Sequence, residues 1–282
     1  MPRTDRRRPV TTLWPPAARW GQHLLMLVAR DTRGCDLPPQ DRLNRFPANP
    51  YCCITWMLAG QAELVSQGDE ARAVLLPATF VHGCQSRPCV SRNLGDRHSF
   101  CAVFHPDAFH ALFGLDGALL QDAFLDATRL LPAHGQRLVR DVAAAADDTA
   151  RRRVIDDFLA THAAPLDNSP WQRLRRMGCN VGLRVAGALL GVGPRQAQRL
   201  AHRQAGMSLP GLSRLWRGER SLRQARAALR RGERIDWAAH AADAGYADQS
   251  HLVRDCKEIS GRTPTQIARQ AAVDEADWIY RL

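Results

Sequence analysis

Four polar side chains in one short segment have the chemistry to recognise nucleic acid. Gln249, Ser250, His251 and Arg254 occupy the beginning of a predicted helix that follows a turn. Gln and Arg can each form two hydrogen bonds with the edge of a DNA base, and an α-helix fits the major groove of B-DNA. The pattern indicates contact with DNA, and a helical hairpin with a solvated polar face is the alternative that the spacing leaves open.

Two short helices joined by a tight turn are predicted around these residues, within 236–264. Asp236 and Asp248 are expected to cap the two helices, because a carboxylate at this position accepts backbone N–H groups of the first turn. Gly245 lies where the first helix must end, since Gly adopts the left-handed conformation at little cost. Three apolar residues of the second helix recur at i, i+4 and i+7 and should point inwards: Leu252, Cys256 and Ile259.

The same segment resembles the C-terminal signature of the AraC/XylS family of transcription regulators. The matching positions are Gly245-Tyr246-Ala247-Asp248-Gln249-Ser250-His251-Leu252-Val253-Arg254, then Lys257, Gly261 and Thr263-Pro264. The resemblance implies a sequence-specific DNA-binding regulator in which Gln249, Ser250, His251 and Arg254 contact bases or position the second helix. Cys256 departs from the family, which usually has Phe here, and this predicts thinner packing under that helix.

A second pattern of the same kind precedes it. Residues 183–190 and 194–203 are predicted as two helices separated by a glycine-containing turn, and Pro194 suits the first turn of a helix. Three polar residues share one face of the second of these helices: Arg195, Gln198 and Arg199. The resemblance implies that they contact DNA as part of a first recognition helix. Ala197 and Ala201 stand where the family usually has bulkier apolar residues.

A long helix over residues 209–231 is predicted between the two motifs, and in the family such a helix sets their separation. Its arginines are candidate phosphate contacts: Arg214, Arg217, Arg220, Arg223 and Arg226. Residues 170–282 contain 20 Lys and Arg against 10 Asp and Glu, whereas residues 1–169 contain 19 against 18. The positive charge is therefore concentrated where the DNA motifs lie, which indicates that this part meets a polyanion.

The N-terminal part has a different pattern, with short β-type segments separated by turn residues. These segments cover residues 51–57, 62–67, 71–76, 81–85 and 100–104. They predict a small β-barrel or sandwich. Helices are predicted after them, over residues 107–113, 117–128, 135–146 and 151–162. The fold class is therefore α+β, with a β-rich domain and trailing helices followed by an all-α domain of two helix-turn-helix motifs joined by a long helix.

The predicted domain boundaries follow from these changes in pattern. Residues 1–20 are expected to be a flexible basic arm, and residues 21–162 a β-rich domain for effector sensing or dimerisation. Residues 163–170, bounded by two prolines, form a linker. Residues 171–270 form the DNA-binding domain. Residues 271–282 are an acidic tail that either docks on the protein or is loose.

Enzymatic chemistry is the alternative function, and the sequence gives it little support. A cupin-type metal enzyme would need His-x-His followed closely by Glu, and His82, His98, His105 and His110 do not have this spacing. An Ada-like repair protein would need a reactive Cys followed by His, but Cys89 is followed by Val90. We therefore predict no catalytic residues, no metal and no cofactor, and expect the cysteines to be mostly small buried residues.

The expected partner is double-stranded promoter or operator DNA. RNA polymerase, a small-molecule effector and a second copy of the chain remain open as further partners, and family resemblance favours activation. No apolar run approaches the length of about 18 residues that a membrane span needs, and no secretion signal is evident. We therefore expect a cytoplasmic protein with no membrane partner.

Overall fold

A computed structural model of the chain describes residues 7–166, 193–271 and 273–281. Its strands are β1 (Val10–Trp14), β2 (Leu24–Asp31), β3 (Leu43–Phe46), β4 (Cys52–Ala59), β5 (Ala62–Gln67), β6 (Glu70–Leu75), β7 (Thr79–His82), β8 (Cys89–Asn93), β9 (His98–Phe104) and β10 (Leu125–Asp126). We number the described α-helices in chain order: α1 (Pro106–Phe113), α2 (Gly117–Leu120), α3 (Ala127–Leu130), α4 (Ala133–Ala144), α5 (Asp148–His162), α6 (Pro194–Ala205), α7 (Leu209–Arg230), α8 (Trp237–Asp243), α9 (Gln249–Ser260) and α10 (Pro264–Gln270). A 3₁₀ helix over Glu275–Arg281 follows them.

The N-terminal strands form two antiparallel sheets. Six strands lie in the order β1-β2-β9-β4-β7-β10, and four lie in the order β3-β8-β5-β6. The sheets meet at an apolar cluster that includes Leu64 of β5 and Phe80 of β7. The predicted β-rich domain is confirmed. Within the described residues the two sheets do not close into a barrel. Of the two predicted architectures, barrel and sandwich, the structure has the sandwich.

The N-terminal arm prediction is wrong for residues 10–14. They form β1, which pairs antiparallel with β2 from Val10 opposite Asp31 to Trp14 opposite Leu27. The Arg and Pro content of the first 20 residues concealed a short segment of β-branched and aromatic residues that favours a strand. Trp14 also packs β1 against the core, because its ring centroid lies 6.3 Å from that of Phe100.

The predicted helix over residues 117–128 is also wrong as a single element. Helix α2 ends at Leu120, β10 follows, and α3 begins at Ala127. Asp122 has a φ of 53°, in the left-handed region that interrupts a right-handed helix. The short strand β10 then pairs with β7 and extends the six-stranded sheet.

One apolar core joins the six-stranded sheet to the helices that follow it. Its largest fully buried side chains include Trp56, Phe100, Phe104, Phe109 and Ile155. Trp56 also donates its indole N–H to the backbone oxygen of Val139 in α4, at 3.1 Å. The helices therefore form one layer against the sheet and hold it as part of a single N-terminal domain.

The C-terminal domain is helical, and α7 is its longest described element. Residues 167–192, which include part of the predicted linker and the predicted helix 183–190, lie outside the described residues. The prediction of a helix from residue 194 is confirmed by α6, with Pro194 in its first turn. None of the described helices is both long enough and apolar enough to cross a membrane.

Candidate DNA-binding surface

Helices α8 and α9 form the second motif with the caps that the sequence predicts. The Asp236 carboxylate accepts the backbone N–H groups of Ala238 and Ala239. Gly245 has a φ of 82°, so the chain turns there through the left-handed region that glycine favours. The Asp248 carboxylate then accepts the backbone N–H of His251 at 2.7 Å and starts α9. Local sequence thus fixes the angle at which α9 leaves the turn.

A buried ion pair holds the inner side of α9 against α7. Asp255 is 6% exposed, and one of its carboxylate oxygens lies 2.7 Å from a guanidinium nitrogen of Arg217. The same guanidinium lies 4.7 Å from the ring centroid of Tyr246, in a cation–π contact. Burial raises the pKa of Tyr246 to about 12, so its phenol stays neutral. The sequence analysis missed this Arg217–Asp255 pair, because no local signal links residues 38 positions apart.

The outer side of α9 carries the predicted DNA-contacting residues. Gln249, Ser250 and Arg254 are exposed, whereas His251 is half-buried. The His251 ring meets Tyr246 edge to face at 5.2 Å, and its Nε2 lies 3.9 Å from an Asp255 oxygen. The structure therefore brings three predicted residues together on one open face and gives His251 a share in supporting the helix.

The Thr-Pro pair after α9 has a structural role that the geometry explains. Gly261 ends α9 with a φ of 74°. The Thr263 hydroxyl accepts the backbone N–H of Gln266 at 3.2 Å, while the Gln266 side chain accepts the backbone N–H of Thr263 at 2.9 Å. This reciprocal capping box starts α10 with Pro264 in its first turn. The cap thus fixes the end of the second motif.

Helix α6 presents the residues predicted for the first motif. Arg195 and Arg199 are exposed. Gln198 is half-buried, and its side-chain oxygen accepts the backbone N–H of Leu209 at 3.3 Å, which caps the start of α7. Ala197 and Ala201, where larger residues were expected, are both fully buried in the apolar cluster between α6 and α7. The helix predicted before α6 lies outside the described residues.

The arginines of α7 divide into two groups. Arg214 pairs with Glu258 and Arg217 with Asp255, so both are committed to holding α9 on α7. Arg220, Arg223 and Arg226 form no ion pair with any residue that the structure describes. Of the five arginines predicted as phosphate contacts, these three therefore keep the free charge that such a contact requires.

The N-terminal domain contacts the DNA-binding domain at α6. A Cβ atom added to Gly117 at the start of α2 would lie 2.5 Å from the carbonyl carbon of Gln204, and one added to Gly206 would lie 2.6 Å from the Gly117 oxygen. The two backbones are therefore in direct contact at this point. The exposed residues Arg195 and Arg199 lie toward the other end of α6, away from this contact.

The acidic C-terminal tail docks rather than being loose. Its Asp277 is 1% exposed and lies between Arg262 of the DNA-binding domain and Arg45 of β3. Glu275 pairs with Arg30 of β2. The tail thus connects the two domains through its carboxylates. The sequence analysis noted the acidic residues of the tail but did not predict their partners.

The histidines considered for metal binding are separated in the fold. His82 donates Nδ1–H to the oxygen of Gly83, and His110 lies against the oxygen of Leu115. His98 lies 3.7 Å from Asp148. In the part of the chain that the structure describes, no three His, Cys, Asp or Glu side chains are grouped as metal ligands.

Comparison with known proteins agrees with this geometry. Residues 187–270 match a family model described as a helix-turn-helix domain. No curated protein sequence is significantly similar to the chain.

Among solved structures, the chain is similar to an apo form of a ToxT variant from Vibrio cholerae, with 12% identity over 91% of this chain and 99% of that one, at a TM-score of 0.47. It is also similar to wild-type Vibrio cholerae ToxT bound to an unsaturated fatty acid (11% identity, 92% and 94% covered, TM-score 0.42). A third is the AraC-like transcriptional activator CuxR (13% identity, 96% and 91% covered, TM-score 0.26).

The matched segment contains α6 to α10, the exposed face of α9 and the caps that orient it. This segment is a helix-turn-helix domain of the AraC type.

Proposed function

We propose that the chain is a DNA-binding transcription regulator of the AraC type, and that it recognises its operator with α9 and α6, each placed in the major groove. The observation that carries the proposal is the two-sided construction of α9. Arg217 anchors its inner side through Asp255, while Gln249, Ser250 and Arg254 are exposed on its outer side. Side chains on an anchored helix can form hydrogen bonds with bases at low conformational cost. His251 contributes by orienting α9 as well as by contact.

For the first motif, we propose that Arg195 and Arg199 contact DNA directly and that Gln198 acts mainly by holding the start of α7. The exposure of the two arginines and the Gln198–Leu209 hydrogen bond support this division. Two recognition helices on one chain would contact major-groove segments about one helical turn, roughly 34 Å, apart. Arg220, Arg223 and Arg226 supply further charge for phosphate contacts.

We further propose that the N-terminal domain controls the DNA-binding domain through effector sensing or dimerisation. Its contacts with α6 and with the C-terminal tail support this, because a change in the N-terminal domain would reach both motifs. RNA polymerase is the proposed partner at the promoter. Since the ligand is chromosomal DNA, we place the protein in the cytoplasm and assign it no catalytic role.

Fluorescence anisotropy with the DNA upstream of its own gene tests the proposal. Arg254→Ala and Arg199→Ala should each lose about 1–3 kcal/mol of binding free energy on the specific site and little on random DNA. Arg129→Ala is the matched control, because Arg129 has an 88% exposed side chain in the N-terminal domain. It should bind like the wild type.

Salt dependence gives an independent measure of the phosphate contacts. If about six phosphates are neutralised, affinity should fall about a thousandfold between 50 and 200 mM salt. Equal affinity for specific and random DNA at every salt concentration would overturn the proposal. An effect of Arg254→Ala without one of Arg199→Ala would restrict base recognition to the second motif.

A further inference from the structure

Two cysteines lie side by side on the inner face of the six-stranded sheet. In the central strands β4 and β9, residues such as Ile54 and Ala102 face the helices and are fully buried in the core. Because side chains alternate along a strand, Cys53 and Cys101 point the other way, towards the four-stranded sheet. The register places Cys101 directly opposite Thr55, with Cys53 as its diagonal neighbour.

Cys101 is accessible from the space between the two sheets. It is half-buried, whereas Cys53 is 6% exposed. Strand β9 has β2 on one side and β4 on the other, so the accessible part of Cys101 cannot lie at a sheet edge. Val103, two residues further along the same face, is half-buried as well. Small molecules can therefore reach Cys101 through the gap between the sheets.

Hydrogen-bond donors favour the thiolate form of Cys101. The Cys53 thiol donates to it, and the Thr55 hydroxyl donates to its Sγ at 3.4 Å. A donor stabilises a thiolate more than a thiol, and these two bonds hold the pKa of Cys101 below the ordinary value of 9.0. The same contact and burial together raise the pKa of Cys53, which therefore keeps its proton.

A buried arginine without a carboxylate partner adds positive charge beside the cysteines. Arg97 is 7% exposed, and its guanidinium donates to the neutral side chains of Asn93 and Ser99 at 2.8 Å each. Burial lowers its pKa to about 10, so it remains charged at neutral pH. No carboxylate of the described residues pairs with it, and its Nε has no hydrogen-bond partner among them. Ser99 and Cys101 share one face of β9, and the Arg97 charge further lowers the pKa of Cys101.

The other cysteines that the structure describes lack this combination of access and positive surroundings. Five are buried: Cys35, Cys52, Cys53, Cys84 and Cys89. Cys256 is half-buried like Cys101, but burial raises its pKa to about 11. Thiol reactivity follows the amount of thiolate and its accessibility. Among the described cysteines, Cys101 therefore combines the two requirements.

We propose that Cys101 is a site of oxidation by small hydroperoxides such as hydrogen peroxide. The thiolate sulfur attacks one peroxide oxygen, so that an S–O bond forms and the O–O bond breaks. Sulfur loses two electrons and becomes a sulfenic acid, while the hydroxide that leaves takes up a proton and becomes water. This modification goes beyond the proposed DNA recognition and does not depend on it.

The sheet geometry favours the sulfenic acid over a disulfide as the product. Diagonal neighbours in an antiparallel sheet have Cα atoms about 7–8 Å apart. A disulfide does not span this distance without movement of the backbone. Cys53 should therefore remain a thiol that donates a hydrogen bond to the oxidised Cys101.

Treatment of the reduced full-length protein with hydrogen peroxide tests the proposal, with dimedone to trap sulfenic acids and mass spectrometry of peptides to locate them. Dimedone should label Cys101 and not Cys256, the other half-buried cysteine of the described chain. Cys101→Ser should abolish the label, and Cys256→Ser should retain it. The labelling rate should rise with pH through a midpoint below 9.0. The readout is a mass, so it is independent of DNA binding.

Thr55→Val and Arg97→Gln test the two positioning residues. Each removes a group that favours the thiolate, so each should slow oxidation several-fold at pH 7 and move the midpoint to higher pH. Thr161→Val is the matched control and should change neither, because the Thr161 hydroxyl donates to a backbone oxygen within α5. Equal labelling of Cys101 and Cys256, an unchanged midpoint in both Thr55→Val and Arg97→Gln, or a Cys53–Cys101 disulfide in place of the sulfenic acid would each overturn the proposal.

Discussion

The indole of Trp278 donates its N–H to the side-chain oxygen of Asn44 at 2.9 Å, across 234 positions of sequence. Both side chains are buried, at 5% and 1% exposed. The indole also lies under the guanidinium of Arg30, at 4.5 Å, and against the edge of Phe46 at 5.8 Å. The last helical turn of the chain is thus built into the N-terminal domain, beside strand β3.

Trp278 should therefore contribute strongly to stability. Trp278→Ala removes a buried aromatic side chain and should lower the free energy of unfolding by about 3–5 kcal/mol. Trp278→Phe retains most of the apolar contact but leaves the Asn44 oxygen without its donor, which should cost about 1–3 kcal/mol. Urea unfolding monitored by circular dichroism gives both values.

Tyr280→Phe is the matched control in the same tail. The Tyr280 hydroxyl has no partner in the described structure, so its removal should not lower stability. If Trp278→Ala unfolds at the same urea concentration as Tyr280→Phe, the docked position of the tail does not persist in solution.

Gly117 should tolerate no side chain. In Gly117→Ala the new methyl would lie 2.5 Å from backbone atoms of Gln204, and backbone cannot move aside as a flexible side chain can. Helix α2 must then separate from α6, with a loss of about 1–3 kcal/mol in the free energy of unfolding. Gly95→Ala, whose Cβ would meet no atom within 4 Å, should be neutral in the same unfolding measurement.

Substitutions of Gln198 and Arg195 should distinguish a residue that supports the fold from one that only contacts DNA. Gln198→Ala leaves the backbone N–H of Leu209 without its acceptor and should lower the free energy of unfolding by about 1 kcal/mol, together with DNA affinity. Arg195→Ala, which removes an exposed side chain, should lower DNA affinity alone. Wild-type stability in Gln198→Ala would show that its hydrogen bond to α7 is not significant.

Because of His82, the free energy of unfolding should decrease as the pH is lowered. It is enclosed beside Phe80 and Phe124, and burial lowers its pKa below the ordinary value of 6.5. Below pH 6.5 the unfolded chain takes up the proton before the folded chain does, so the free energy of unfolding decreases as pH falls and is constant above that range.

His82→Asn should flatten this decrease in urea unfolding measured across pH. The decrease should be reduced rather than removed, because burial also lowers the pKa of His98 and of His240. An unchanged pH profile in His82→Asn would assign the effect to those two residues.

The second motif could be predicted from sequence because its determinants are local. Asp248 caps a helix through an N–H three residues away, and Gly245 determines the turn by its own backbone conformation. The position of Gln249, Ser250 and Arg254 on the outer face follows from helical spacing alone. Cys256 lines an apolar pocket beneath α9, which agrees with the thinner packing predicted there.

The contacts between distant parts of the chain could not be predicted in this way. Strand β1 forms because β2 offers it an edge, which composition does not reveal. The acidic tail carries the carboxylates that pair with Arg30 and Arg45. By charge alone, many other arginines of the chain could have been predicted as their partners. Only the fold selects the partners, because long-range pairing depends on shape as well as charge.

The contact between Gly117 and Gly206 also determines how movement passes between the domains. Where side chains separate two elements, rotation about their bonds can absorb a small displacement before it reaches the other element. Here main-chain atoms of Gly117 lie directly against the main chain of Gln204 and Gly206. We therefore expect a shift of α2 to displace the C-terminal end of α6, the helix that carries Arg195 and Arg199.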